Sequence, residues 1–238
     1  MKKYVLFIVE GSNDKREIQA IIRAATEYKF TELYVDSYYT QKGDLTSERG
    51  TNEKNIINKL NEIVIDWRNG GEYPYQKILT SDVERIIHVV DTDGVFIPES
   101  AIIQTDDGKT QYHDNKICCF KRNDIVSRNR KKARVIRRLI NTKTIDNIKY
   151  NVVFVSCNMD HVLFDTRNPF RSDKDKNSLL FACKCNSKAD LESTIYCPGI
   201  RSDDSFYESW NRIQQEYNSL HRHTNINLFL DELETQSE

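Results

Sequence analysis

The chain has 238 residues, of which 30% are charged, and a formal net charge of −1. This length allows a substantial hydrophobic core, and the charge balance does not by itself mark a nucleic-acid-binding protein. No apolar stretch approaches the length of a membrane span, and the apolar run after Lys2 and Lys3 is too short for a secretion signal with its cleavage site. Six cysteines without such a signal favour reduced thiols, so we expect a cytoplasmic protein without membrane contact.

The first predicted element is a buried strand that ends in an acidic residue. The run Tyr4–Val9 is apolar and rich in β-branched residues, and Glu10 and Gly11 follow it directly. Isoleucines and an alanine then recur at helical spacing, which predicts a helix over residues 14–28. Ligands of open α/β sheets bind at the carboxyl ends of the strands, so Glu10 is a candidate site residue.

A second predicted strand ends in two further acids. Ile86–Val90 is again apolar and β-branched, and Asp91 and Asp93 follow it one residue apart, so they point in the same direction. Buried carboxylates are costly unless they are paired or bound to a metal, and hard oxygen ligands suit Mg²⁺ or Mn²⁺. The three carboxylates therefore predict a site for a divalent cation.

The two acidic motifs together resemble those of the Toprim domain. The matching stretches are VEGSND at Val9–Asp14 and VVDTDG at Val89–Gly94. The Toprim family includes topoisomerases, primases, the ribosomal-RNA maturase ribonucleases and the OLD-type nucleases, and small standalone members occur in phage-defence and abortive-infection systems. The resemblance implies a Rossmann-like α/β core, with a mostly parallel sheet flanked by helices.

The same resemblance implies roles for the acidic residues. It makes Glu10 the catalytic acid or base and a ligand of Mg²⁺ or Mn²⁺, with Asp91 and Asp93 as the other metal ligands. Asp14 would be a secondary catalytic acid. Asp160, which follows a third strong strand, would supply a further ligand or hold a metal-bound water. His161 beside it fits either a structural or a catalytic role.

The dense basic segment Ser127–Asn141 is a second candidate functional region. It predicts a helix with Ser127 as its N-cap and with one apolar face. The opposite face carries four arginines, namely Arg130, Arg134, Arg137 and Arg138. Because no acid interrupts the run, contact with the phosphate backbone of a nucleic acid is one interpretation. A solvated surface, or an interface with an acidic partner protein, is the alternative.

The remaining pattern gives the domain organisation. Further predicted elements are strands at Glu32–Tyr39, Lys116–Phe120 and Tyr150–Cys157, helices at Asn52–Arg68 and Ser202–His221, and a last amphipathic piece at Ile226–Leu233. Residues 106–108 predict a hairpin tip, and residues 168–176 predict a charged loop. We expect a Toprim-like core over residues 1–165, which includes the basic helix, and a mostly helical C-terminal extension over residues 166–238 that packs on the core.

The leading functional hypothesis is a metal-dependent nuclease that hydrolyses phosphodiester bonds in DNA or RNA. It could be the effector of a phage-defence system and could require a separate ATPase or regulatory chain. The main alternative is a non-catalytic Toprim-like module that binds nucleic acid or a partner ATPase. A response-regulator-like or phosphatase α/β domain that uses Asp91 and Asp93 is a third hypothesis, but phosphatases of the haloacid type carry Asp-x-Asp-Gly on the first strand of their fold.

Overall fold

The computed structural model describes residues 3–26, 33–39, 44–70 and 77–235 of the chain. Residues 27–28 of the first predicted helix and Glu32 of the second predicted strand lie outside these ranges. Within the described ranges, no helix is long and apolar enough to cross a membrane.

The protein is organised around a main sheet whose central strands are parallel. The strands are β1 Lys3–Val9, β2 Leu33–Tyr39, β3 Val83–Asp91, β4 Ile102–Gln104, β5 Gln111–Tyr112, β6 Ile117–Cys119, β7 Thr144–Ile145, β8 Ile148–Ser156 and β9 His223–Thr224. The main sheet has the order β2-β1-β3-β8-β7, with β9 also paired to β8. Strands β2, β1, β3 and β8 are parallel, whereas β7 and β9 run antiparallel to β8. The carboxyl ends of β1, β3 and β8 therefore meet at one edge of the sheet.

Helices cover both faces of this sheet. They are α1 Ser12–Thr26, α2 Ile56–Arg68, α3 Arg122–Ile140, α4 Met159–Phe164, α5 Arg171–Lys184, α6 Lys188–Leu191, α7 Phe206–Ile213 and α8 Asn227–Thr235. Alternate strand residues face opposite layers: Phe7 and Val89 pack with α1 and α8, whereas Ile8 and Val90 pack with α2 and α3. The predicted α/β fold, with a largely parallel sheet between helices, is confirmed.

The segment between β3 and α3 forms a small second sheet of order β4-β6-β5. The prediction of a hairpin tip at residues 106–108 is wrong, because these residues lie in the connection from β4 to β5. The hairpin joins β5 to β6 instead, and the backbone N–H of His113 closes its turn by donating to the carbonyl of Lys116 at 2.9 Å.

The helix that carries the basic segment begins earlier than predicted. It starts at Arg122, so Ser127 lies inside it and is not the N-cap. Buried Val126 extends the apolar face toward the N-terminus, and the guanidinium of Arg122 donates to the carbonyl of Ile102 at 2.9 Å. The added turn thereby attaches α3 to the small sheet.

Two predictions in the C-terminal part are wrong in their bounds. The charged loop of residues 168–176 is helical from Arg171 onward, because α5 packs along α1 and buries Ser178, whose hydroxyl donates to the carbonyl of Asn13 at 3.3 Å. The helix expected over residues 202–221 is only the short helix α7, followed by a separate 3-10 turn. Its start is fixed by Ser205 and Glu208, which form a capping box.

Candidate active site at the carboxyl edge of the sheet

The structure brings the acids of the two motifs together. Glu10 directly follows β1, and Asp91 is the last residue of the adjacent parallel strand β3. The backbone N–H of Asp91 donates to Oε1 of Glu10 at 3.1 Å, which joins the two strand ends. The crevice predicted from the two motifs is therefore formed between neighbouring strands.

The turn after β3 explains the Asp-x-Asp-Gly pattern. Asp93 and Gly94 both have a positive φ, +49° and +63° respectively. A Cβ on Gly94 would lie 2.4 Å from Cδ2 of buried Leu220, so any side chain there would force Leu220 to move, in addition to the strain of the positive φ. Glycine thus permits the sharp turn that directs the Asp93 side chain back toward the site.

A buried lysine lies at the centre of these acids. Nζ of Lys132 lies 2.7 Å from Oδ2 of Asp44 and 2.7 Å from Oδ2 of Asp93, and 3.9 Å from Oε1 of Glu10. Its side chain is 0% exposed, and it comes from the inner face of α3. The ammonium is therefore an internal counter-ion of the cluster.

Neither Lys132 nor Asp44 follows from the two sequence motifs. A signal for the lysine exists, since Lys132, Val135, Ile136 and Leu139 share the i, i+3, i+4, i+7 spacing of the apolar face of α3. No comparable pattern marks Asp44, which reaches the site from the segment between β2 and α2. Only the tertiary fold brings that residue to the cluster.

The charges of the cluster are not balanced. Burial, followed by the nearby Asp44 and Asp91, raises the pKa of Glu10 well above its usual value. Burial, with Asp14 and Asp93, likewise raises the pKa of Asp91. Burial also acts to raise the pKa of Asp93, but the charges of Lys132 and Arg128 outweigh it and hold that pKa below its usual value. Lys132 thus compensates Asp93 far better than it does Glu10 and Asp91.

A second ionic group adjoins the first. Nζ of Lys174 on α5 lies 2.9 Å from Oδ2 of Asp160, which is in the first turn of α4. Burial raises the pKa of Asp14, on the first turn of α1, to about 6, with Lys174 opposing and Asp160 adding to the rise. Asp14 and Asp160 both lie beside the carboxyl edge, and their catalytic roles stay predictions. The sequence pattern does not indicate Lys174, because it predicts a loop for this segment.

Arg128 and Tyr112 hold the Asp93 turn from the side of the small sheet. The guanidinium of Arg128 donates to the hydroxyl of Tyr112 at 3.1 Å and to the backbone carbonyl of Asp93 at 3.2 Å. The Tyr112 hydroxyl in turn donates to Oδ1 of Asp93 at 3.3 Å. These bonds fix Asp93 on the side opposite Lys132.

His161 has structural contacts of its own. It is buried, and its Nδ1 lies 3.1 Å from both the backbone nitrogen of Cys157 and the carbonyl of Ser156. The side-chain oxygen of Asn158 accepts the backbone N–H of His161 at 2.9 Å, which caps α4. Of the two roles left open by the sequence, these contacts favour the structural one.

The four arginines predicted to bind nucleic acid lie on the outer face of α3. Arg130, Arg134, Arg137 and Arg138 are all exposed. Arg130 donates to Glu99 at 2.7 Å, Nε of Arg134 lies 3.7 Å from Glu53, and Nε of Arg137 donates to Gln214 at 2.9 Å. Lys132 on the same helix points inward, so α3 presents one cation to the cluster and a row of arginines to solvent.

The donor chemistry of the cluster fits a hard divalent cation. All the donors are carboxylate oxygens, the ligands that Mg²⁺ and Mn²⁺ prefer. Burial and then the neighbouring carboxylates raise the pKa values of Glu10 and Asp91, and a bound cation would oppose both effects. Among the described side chains, no group of three or more His, Cys, Asp or Glu residues stands in an arrangement that could hold a metal ion as it is. The ammonium of Lys132 instead lies between the oxygens of Asp44 and Asp93.

Fold and site together define an α/β protein with a carboxylate cluster at the carboxyl edge of its parallel strands. No family model matches the chain, and no curated protein or solved structure matches it either. The Toprim resemblance therefore stays a prediction based on the two acidic motifs.

Proposed function

We propose that the protein is a metal-dependent nuclease of Toprim type that hydrolyses phosphodiester bonds in DNA or RNA. The observation that carries this proposal is the hydrogen bond from the backbone N–H of Asp91 to the Glu10 carboxylate, which brings two half-buried acidic residues together at the ends of adjacent parallel strands. In this proposal Glu10, Asp91 and Asp93 hold Mg²⁺ or Mn²⁺. The bound cation would supply Lewis-acid stabilisation of the charge that develops on the scissile phosphate.

The acidic side chains would perform the proton transfers. Burial raises the pKa of Glu10 above its usual value in the metal-free site, and a Glu10 carboxylate left partly free by the metal would act as the general acid or base. Asp14, with a pKa of about 6, can exchange protons in the same pH range as a secondary acid. Asp160 would hold Lys174 in place through their 2.9 Å ion pair.

Lys174 and Lys132 have different roles in this proposal. Lys174 is 43% exposed at the edge of the cluster, so it can contact a phosphate oxygen of the substrate. Lys132 is fully buried, so it acts as a positioning residue that holds Asp93 and Asp44. The exposed arginines of α3 would bind the phosphate backbone of the nucleic acid away from the scissile bond. As part of the same proposal, the protein is a cytoplasmic phage-defence effector that acts with a separate ATPase or regulatory chain.

The non-catalytic module is the second candidate function, and one observation favours it. Lys132 already places a positive charge between Asp44 and Asp93. A cluster with its own internal cation can stay folded without a metal, so the acids could persist in a protein that only binds nucleic acid or a partner ATPase.

The test is cleavage of plasmid DNA and total tRNA in the presence of Mg²⁺ or Mn²⁺. Wild-type protein is compared with Glu10→Gln and Asp91→Asn, and with Glu62→Gln and Asp66→Asn as matched controls, because Glu62 and Asp66 are exposed on α2. We expect metal-dependent cleavage that is lost in the first pair and kept in the second. The cleaved polymer identifies the substrate class.

Calorimetry with Mn²⁺ separates the two candidate functions if no polymer is cleaved. Binding that is lost in Glu10→Gln and Asp91→Asn would support the metal site and indicate a missing activator. Failure to bind Mn²⁺, together with absent cleavage, would contradict the nuclease proposal and leave the binding module.

A further inference from the structure

A second concave site lies away from the carboxylate cluster. It is a pocket of about 230 Å³ formed by the end of α7, the start of β9 and the segments before and between them. Three arginines from separate parts of the chain line it, accompanied by two histidines and an asparagine: Arg201, Arg212, Arg222, His221, His223 and Asn218. Arginines from three parts of the chain therefore converge on one small cavity.

Each arginine is held in place but retains free donors. Nε of Arg201 lies 2.9 Å from Oδ1 of Asp203, and Nη2 of Arg212 lies 2.9 Å from Oδ1 of Asp204. Nε and Nη2 of Arg222 both donate to the backbone carbonyl of Val162, at 3.0 and 2.7 Å. A guanidinium has five N–H donors, so each of the three has most of its donors left for a ligand.

The pocket carries a net positive charge. Three guanidinium groups stand against two carboxylates, those of Asp203 and Asp204, which leaves one positive charge in excess. The excess belongs to Arg222, whose partner is an uncharged carbonyl. Burial lowers the pKa of His223, which favours the neutral form of this ring, whereas the guanidinium groups keep their charge.

A ligand that suits this charge and these donors is a small anion with several oxygen acceptors. Guanidinium forks match the geometry of phosphate oxygens and bind them with paired hydrogen bonds. The volume is below the range of roughly 300–1,000 Å³ typical of pockets for drug-sized ligands, so the pocket suits a terminal group better than a whole large molecule. We propose that this pocket binds a phosphomonoester group.

Two sources can supply that group, namely a free nucleotide and the phosphorylated end of a nucleic-acid strand. Arg222 holds the carbonyl of Val162, two residues after Asp160, so the pocket and the carboxylate cluster are connected through α4. The phosphate site does not depend on hydrolysis at that cluster, and its test needs no divalent metal.

The experiment follows the ring signals of His221 and His223 by NMR, without added metal, as phosphate probes are titrated. The probes are inorganic phosphate, 5′-AMP, and one short oligonucleotide with either a 5′-phosphate or a 5′-hydroxyl, each at constant ionic strength in chloride. We expect saturable shifts with the phosphorylated probes and at least tenfold weaker binding of the 5′-hydroxyl oligonucleotide. The 5′-phosphorylated oligonucleotide binding more tightly than 5′-AMP would identify a strand end as the source, whereas the reverse would identify a free nucleotide.

The decisive variant is Arg201→Gln with Arg212→Gln, in which two exposed side chains lose their charge. Its matched control is Lys143→Gln with Lys149→Gln, because both lysines are exposed near the opposite end of β8. We expect at least tenfold weaker binding in the first pair and unchanged binding in the second. If the first pair does not fold, Arg201→Gln alone serves, with a smaller loss expected.

Two results would overturn the proposal. One is the absence of a saturable shift with every phosphorylated probe, and the other is unchanged binding in the arginine variants. Glu10→Gln should bind the probes as wild type does, so loss of nuclease activity and loss of phosphate binding remain distinguishable.

Discussion

At the scale of single residues, Lys132 offers the sharpest test of the charge balance in the cluster. Replacing it with methionine would leave the half-buried carboxylates of Asp44 and Asp93 without their counter-ion. Breaking a buried ion pair in this way usually costs about 3–5 kcal/mol of the free energy of unfolding. We expect a loss of this size for Lys132→Met in urea denaturation. Lys149→Met, at an exposed position, is the control, and a loss below about 1 kcal/mol for Lys132→Met would contradict the buried pairing.

Glu17 gives a prediction about pH. Burial, then Asp14 and Asp160, raises the pKa of this carboxyl from its usual 4.5 to about 9. Between these two values the folded chain holds a proton that the unfolded chain has released. Stability therefore falls as pH rises, by at most about 1.4 kcal/mol per pH unit, and the loss is complete above the folded pKa.

Glu17→Gln removes this titration while it keeps the shape of the side chain. We expect the variant to gain stability over wild type progressively from pH 5 to pH 8, by up to about 4 kcal/mol. Urea denaturation at each pH measures the difference, and Glu62→Gln serves as the exposed control. A difference that stays constant with pH would disprove the proposed cause.

At the scale of elements, the turn after β3 determines the position of Asp93. Gly94→Ala combines a positive φ with a Cβ 2.4 Å from Leu220. Gly50 has a similar φ of +87° but open space around it, so Gly50→Ala isolates the backbone strain. We expect a cost of about 1–2 kcal/mol for Gly50→Ala and about 1–3 kcal/mol more for Gly94→Ala, measured by thermal unfolding. Equal costs for both variants would mean that the close contact with Leu220 is relieved cheaply.

The sequence predicts those parts of the fold and the site for which one strand or helix has a clear apolar pattern of its own. The apolar runs before Glu10 and Asp91 indicate buried parallel strands, and the order of the two motifs places their acids at one edge. Asp44 and Lys174 could not be found in this way, because their segments have no apolar period that fixes their orientation. The sequence does not predict the start of α5, because its first turns are charged and have no apolar pattern. Packing against α1 stabilises these turns as a helix.

At the scale of the whole molecule, the C-terminal part completes the core of the N-terminal part. Strand β9 pairs with the end of β8, and α8 packs with α1 on one face of the main sheet. Trp210 on α7 packs against Phe154 on the other face, with ring centroids 4.9 Å apart. The predicted boundary at residue 165 therefore runs between elements that share both faces of one sheet.

Trp210 tests whether this shared core is energetically important. The side chain is 1% exposed, and its indole N–H donates to the carbonyl of Val152 in β8 at 3.1 Å. Trp210→Ala should cost about 3–5 kcal/mol, because it leaves a cavity beside the sheet and an unpaired carbonyl. Tyr207, on the same short helix, is 55% exposed, so Tyr207→Ala should cost less than about 1 kcal/mol. If both variants unfold in urea at nearly the same midpoint, the packing of α7 contributes little to the stability of the core. A large loss confined to Trp210→Ala would instead make residues 166–235 part of one cooperative unit with the parallel sheet.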